Sequence, residues 1–254
     1  MCYDSNARPP LPPIAGGVAD GEEIVLTAED GNRFVAYIAR SGNANDAQVL
    51  IYPDVRGLHQ FYKELALRFA EIGVTALAID YFGRTAGIGA RDETFEFRPH
   101  VQQLQIPTFY ADVKAALAYL RKEAAGNPRG PFVVGFCMGG SFSLVSATED
   151  FGFAGVIAFY AGLSRVFAGS RGSVMELAPT VRYPALGLFG GADAGIPVSD
   201  VQKLDEELDK SGCAHEIVIY PGAPHSFFDR RYNEFAEASA DAWKRILVFM
   251  DAHK

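Results

Sequence analysis

The stretch Gly135-Phe136-Cys137-Met138-Gly139 follows the apolar run 132–134 and leads into a segment of small residues. A thiol set between glycines where a strand passes into a helix has the form of a strained turn that lifts one side chain above a sheet. Side chains two positions away on either side would collide with that turn, which accounts for glycine at 135 and 139. The N-terminus of the following helix offers positive potential and free N–H groups, suited first to a thiolate and then to an oxyanion. The competing reading of this window is a buried core cysteine, a small hydrophobe beside a closely packed helix.

A thiol nucleophile needs a base, and the base needs an orienting acid. Two further windows supply them in the chain order nucleophile, acid, histidine. Residues 184–193, PALGLFGGAD, read as a strand followed by two glycines and Asp193. Residues 216–225, EIVIYPGAPH, read as a strand followed by a turn and His225. Alone, Asp193 is also a helix cap or a turn acid, and His225 a surface histidine; with Cys137 they form a candidate triad. His59 opens a helix, and His215 stands at the start of a strand, the wrong end of a parallel sheet for a site. Cys213, in the turn before that strand, reads as inert.

The elements that must position this triad follow from periodicity. Segments 23–28 and 33–39 flank the turn Glu29-Asp30-Gly31-Asn32 and read as a hairpin. Segments 48–52, 74–79, 131–136, 155–159, 184–189 and 215–220 are short apolar strands. Segments 60–72, 109–124, 138–148, 200–211 and 234–250 carry helical spacing or small helix-forming residues. Alternating strand and helix after a hairpin predicts an α/β fold, a mostly parallel central sheet with helices on both faces. Neither a linker nor a repeat interrupts it, so residues 1–254 read as a single domain. Residues 1–20 form an irregular, Pro-rich arm, and 80–107 a long loop or partial lid with Phe95 and Phe97 as its apolar face.

Composition excludes several classes. The 254 residues hold 49% hydrophobic and 21% charged side chains, with a formal net charge of −8. An acidic surface repels phosphate backbones, so no nucleic-acid partner is expected. No window reaches the length of a membrane span and the start lacks a secretory apolar region. The three cysteines, Cys2, Cys137 and Cys213, form no disulfide framework and suit a reducing, cytoplasmic setting. Cys2 also makes an N-terminal lipid anchor conceivable, without a recognised motif around it. His59, His100, His215, His225 and His253 form no close metal-binding spacing, so no metal and no cofactor are expected.

The pieces YPDVRG (52–57), IDYFGR (79–84), VGFCMGG (134–140), FGGADAGIP (189–197) and PHSF (224–227) resemble the dienelactone hydrolase family, within the α/β-hydrolase fold. The resemblance implies Cys137 as nucleophile, His225 as base and Asp193 as its partner. It implies an acid against the resting thiol, matched by Asp54, where the best-known members carry Glu. It implies an oxyanion hole from the main-chain N–H groups of Met138 and Val55. It also implies two arginines gripping a substrate carboxylate. Arg84 matches the first; the second belongs four positions after the histidine, where this chain has Asp229, with Arg230 one further on. Arg56 is either a further cation near the cleft or a solvated side chain. Tyr52, Tyr81, Phe82 and Tyr160 near strand ends, and Phe227 after the histidine, are candidates for an apolar pocket wall.

The expected function is hydrolysis of small-molecule carboxylic esters or lactones through a thioester acyl-enzyme, by a monomer or small homo-oligomer. One alternative is a general carboxylesterase acting on activated esters without carboxylate recognition. Another, of a different class, is a non-catalytic small-molecule binding or redox-sensing protein on the same fold.

Overall fold

The computed structural model describes residues 7–13, 16–43, 46–124 and 129–254. Cys2 and parts of the expected N-terminal arm lie outside them. Eight strands form one sheet: β1 (Ala19–Thr27), β2 (Arg33–Ser41), β3 (Gln48–Tyr52), β4 (Thr75–Ile79), β5 (Phe132–Phe136), β6 (Gly155–Phe159), β7 (Ala185–Gly190) and β8 (His215–Tyr220). Their spatial order is β1-β2-β4-β3-β5-β6-β7-β8. The β1–β2 and β2–β4 pairs are antiparallel and every other pair is parallel. The strand order reverses beside β3, with β4 on one flank and β5 on the other. In open parallel sheets such a switch point opens a crevice beyond the strands' carboxyl ends.

The helices are α1 (Gln60–Glu71), α2 (Gly83–Ala86), α3 (Phe97–Val101), α4 (Ile106–Glu123), α5 (Met138–Ser146), α6 (Val174–Leu177), α7 (Val198–Asp209) and α8 (Ala236–Ala252). They cover both faces of the sheet. Tyr52 is in register with Gly135, so Tyr52 and Phe136 point to opposite faces. Tyr52 meets Phe109 of α4 at 5.2 Å, whereas Phe136 meets Tyr62 of α1 at 5.5 Å. Phe69 of α1 packs on Trp243 of α8 at 4.9 Å, and Phe109 of α4 on Phe142 of α5 at 4.6 Å. Strands β3, β5 and β6 are buried along their whole length, as expected of strands covered on both sides.

Three expectations about elements change. Residues 80–107 are not one irregular loop, since they hold α2 and α3. Helix α4 begins at Ile106 because Pro107 sits in its first turn, where a missing N–H leaves no bond unmade. Strand β1 starts at Ala19, four residues before the apolar run, because backbone pairing with β2 continues to Ser41. The N-terminal segment is held at Pro10, whose carbonyl accepts the Trp243 indole N–H at 2.9 Å.

Candidate active site

Cys137 stands between β5 and α5 with φ 54° and ψ −113°, a conformation in which a Cβ is crowded. Such strain costs of order 1–3 kcal/mol and persists only where the surroundings over-determine it. Here its N–H donates to the Phe159 carbonyl at 3.0 Å and its carbonyl accepts from Ser141 N–H at 3.1 Å. The flanking glycines are sterically required. A Cβ on Gly135 would lie 2.0 Å from the Gly139 carbonyl oxygen, and one on Gly139 would lie 2.2 Å from that of Tyr52. Glycine therefore lets the start of α5 sit directly against the end of β3, and Cys137 becomes the N-cap of α5.

Asp193 and His225 come from neighbouring strand ends. Past β7, Gly191 N–H bonds to the Tyr220 carbonyl at 2.8 Å and Ala192 N–H to that of Ala223 at 2.9 Å. These bonds tie the segment after β7 to the segment after β8. Asp193 and His225 are thereby brought together, with Nδ1 of His225 2.6 Å from Oδ2 of Asp193. An ionised carboxylate only accepts, so the Nδ1 proton belongs to the imidazole, and Nε2 is left to act as a base. The second oxygen of Asp193 accepts from Gly195 N–H at 2.9 Å, and the residue is 8% exposed.

Cys137 and His225 line one cavity of about 270 Å3 at the carboxyl ends of the strands, together with Val55, Met138, Arg165 and Phe167. A small cavity with an apolar wall and convergent polar groups is the usual form of a small-molecule site.

A family model described as the dienelactone hydrolase family matches residues 34–254. The chain belongs to that family. It is 27% identical over 240 residues to the "Putative carboxymethylenebutenolidase" of Methylorubrum extorquens, covering 91% of this chain and 80% of the relative. It is likewise 27% identical over 251 residues to the protein of that name from Salmonella typhimurium, covering 95% and 92%. Among solved structures, a "Putative Dienelactone Hydrolase" from Klebsiella pneumoniae shares the fold with a TM-score of 0.81 and 24% identity, covering 92% of this chain and 99% of that one. A dienelactone hydrolase-like promiscuous phosphotriesterase from metagenomic libraries also shares the fold, with a TM-score of 0.73 and 20% identity, covering 94% and 99%.

The remaining residues expected from the family pattern sort by contact. Val55 and Met138, expected to supply oxyanion N–H groups, both line the cavity. Asp54 is 1% exposed, and its Oδ1 accepts from Arg56 N–H at 2.9 Å and lies 3.4 Å from His59 Nε2. Its own N–H donates to the Tyr62 hydroxyl at 3.0 Å. Asp54 is thus built into the loop after β3, and His59 is its basic neighbour.

Arg84 lies outside the cavity lining. Its guanidinium reaches Asp30 at 2.5 Å and Asp112 at 2.8 Å and donates to the Thr108 carbonyl at 3.1 Å. The Arg84 hydrogen bond holds the Asp30 carboxyl below its ordinary range, while burial raises that of Asp112. Arg230 is exposed and contributes its backbone N–H to Asp229, and Arg56 lies over the Phe97 ring at 5.6 Å. Tyr52, Tyr81, Phe82 and Phe227 are buried in the core instead of forming the cavity wall, the Tyr81 hydroxyl donating to the Pro53 carbonyl at 2.7 Å. Tyr160 is also fully buried, with its ring against His225 at 4.8 Å.

The rest of the wall comes from residues not expected to line a pocket. Val101 of α3 and Ile196 of the turn after Asp193 line it, and Arg165 is its cation, lying over Phe167 at 4.7 Å. Arg165 is exposed and six residues past the carboxyl end of β6. Strand-end position is the only sequence signal that marks it.

Proposed function

We propose that this protein is a cysteine hydrolase of small carboxylic esters or lactones, with Cys137 as nucleophile, His225 as base and Asp193 as the group that orients it. The observation that carries the reading is the single cavity shared by Cys137 and His225, with Asp193 2.6 Å behind the imidazole. The relatives' name points the same way, since a butenolide is an unsaturated lactone.

In this mechanism, Nε2 of His225 takes the Cys137 proton and the thiolate attacks the acyl carbon. Negative charge on the former carbonyl oxygen is held by the N–H groups of Met138 and Val55, at the positive end of α5. The adduct collapses with loss of the alcohol or enol oxygen, which takes its proton from the imidazolium. Water, activated by His225, then attacks the thioester and Cys137 leaves as the thiol. A thiolate is a better leaving group than an alkoxide, so a tetrahedral adduct with a poor leaving group returns to substrate. Activated esters and enol lactones therefore fit the chemistry and amides do not. Each step uses groups of this chain and water. A mechanism that depends on a thiol suits a reducing, cytoplasmic setting.

A second reading, a carboxylesterase without carboxylate recognition, draws on Arg84. Two aspartates already occupy that guanidinium. If an acidic substituent is recognised after all, Arg165 in the cavity lining is the cation available to it.

The test is steady-state hydrolysis of p-nitrophenyl acetate, p-nitrophenyl butyrate and a carboxylate-bearing enol lactone by wild type and Cys137→Ala. Turnover that disappears in the variant is the expected result. Equal turnover in both proteins would sink Cys137 as nucleophile.

A further inference from the structure

Two buried polar side chains beside His225 take no part in the acyl transfer described above. Tyr160, the first residue past β6, is fully buried, and its ring centroid lies 4.8 Å from that of the His225 imidazole with the planes at 54°. Its hydroxyl donates to Asp229 Oδ2 at 2.8 Å. Asp229 is 2% exposed and its other oxygen accepts the Arg230 N–H. A buried carboxylate is costly unless hydrogen bonded, and both oxygens of this one accept a hydrogen bond.

The backbone on both sides of this contact is fixed in an uncommon conformation. Tyr160 has φ 36° and Ser226, next to His225, has φ 61°. Tyr160 N–H donates to the Leu188 carbonyl of β7 at 2.8 Å, on the strand that leads to Asp193. The Ser226 carbonyl accepts from Asp229 N–H at 3.3 Å and from Arg231 N–H at 3.2 Å. The Tyr160–Asp229 hydrogen bond therefore closes a ring of contacts that runs from β7 through Tyr160 to the turn carrying His225. Burial, reinforced by the Asp229 charge, pushes the Tyr160 phenol well above its ordinary range, so it stays a donor.

We propose that Tyr160 and Asp229 are a positioning pair for His225: the ring fixes the plane of the imidazole and the carboxylate fixes the ring, so that Nδ1 stays on Asp193 while Nε2 faces the cavity. This rests on the reading of His225 as the base. It uses Asp229, which stands where the resemblance to the family pattern implies an arginine.

The test pairs kinetics with a readout that needs no turnover. Tyr160→Phe keeps the ring and removes the hydroxyl, Asp229→Asn keeps an acceptor, and Asp229→Ala removes it. With p-nitrophenyl acetate, Tyr160→Phe and Asp229→Ala are each expected to lower kcat roughly 10–100-fold with KM within about twofold. The double variant should be no worse than either single one, and Asp229→Asn should recover to within about threefold of wild type. In a Cys137→Ala background, where no thiolate can hold the ring protonated, the 15N shifts of His225 should report one Nδ1-protonated tautomer. Adding Tyr160→Phe should give a mixture of tautomers.

Wild-type kcat together with an unchanged tautomer in folded Tyr160→Phe and Asp229→Ala proteins would overturn the proposal. So would an effect confined to KM. If Asp229→Ala does not fold, Tyr160→Phe and Asp229→Asn decide the matter. If ester turnover survives Cys137→Ala, the thiol mechanism fails, and the tautomer measurement still decides the positioning role.

Discussion

The backbone at Cys137 makes a prediction that is independent of any substrate. At φ 54° and ψ −113° every residue with a Cβ is strained, whereas glycine is not. Replacing Cys137 by alanine removes the thiol and keeps the strain; replacing it by glycine removes both. The relief is of order 1–3 kcal/mol, about 2 as a central figure. Against it stand about 0.7 kcal/mol for the greater freedom of glycine in the unfolded chain and about 0.4 kcal/mol for a half-buried methyl. Cys137→Gly should therefore exceed Cys137→Ala in stability by about 1 kcal/mol, or about 2–4 °C in Tm for a chain of this size. The assay is thermal unfolding of both variants followed by circular dichroism. Lys203, exposed on α7, provides the control, since there alanine should exceed glycine by about 1 kcal/mol. Alanine matching or exceeding glycine at position 137 would refute the argument that the turn stores strain.

Three further outcomes follow from named contacts. Asp193→Asn should fold normally and lose kcat by about 10^4-fold, because an amide can present its N–H to Nδ1 and favour the wrong tautomer; the check is kcat alongside Tm, and a loss under tenfold would count against the 2.6 Å bond as the orienting contact. Arg84→Ala should lower Tm, since it strands the buried Asp112 carboxylate at a cost of about 1–3 kcal/mol, and leave KM alone, whereas Arg165→Ala should raise KM only for substrates bearing a carboxylate. The Glu123 carboxyl is held below its ordinary range by its hydrogen bond to Arg40, so the stabilisation it brings is present above the unfolded carboxyl pKa and is lost as pH falls through the lowered folded value. In Tm measurements from neutral to strongly acidic pH, Glu123→Gln should be destabilised by about 1–3 °C at neutral pH, and the gap should close on acidification.

Local rules sufficed for the elements that carry the site. Alternating apolar strands and amphipathic helices made the α/β sheet legible, and the glycines flanking Cys137 marked the turn because only a missing Cβ allows α5 to press against the end of β3. The order Cys137, Asp193, His225, each just past a strand end, followed from the same logic. The short helices α2 and α3 were not legible, since a few residues rich in charge, glycine and proline carry no period.

What only tertiary structure decided is which partner each polar group takes. Arg84 carries the same charge whether it faces a substrate or an aspartate, and the packing of α2 beside Asp30 and α4 settles it. Asp229 ends beside Tyr160 through a contact between different strand ends that no local pattern encodes, whereas Asp54 meets His59 within one loop. The aromatic residues near strand ends went to the core in the same way. Sequence determines chemistry and backbone conformation where the constraint lies within a few residues. Partnership in a low-dielectric interior depends on distances between segments far apart in the chain, and these exist only once the sheet has formed.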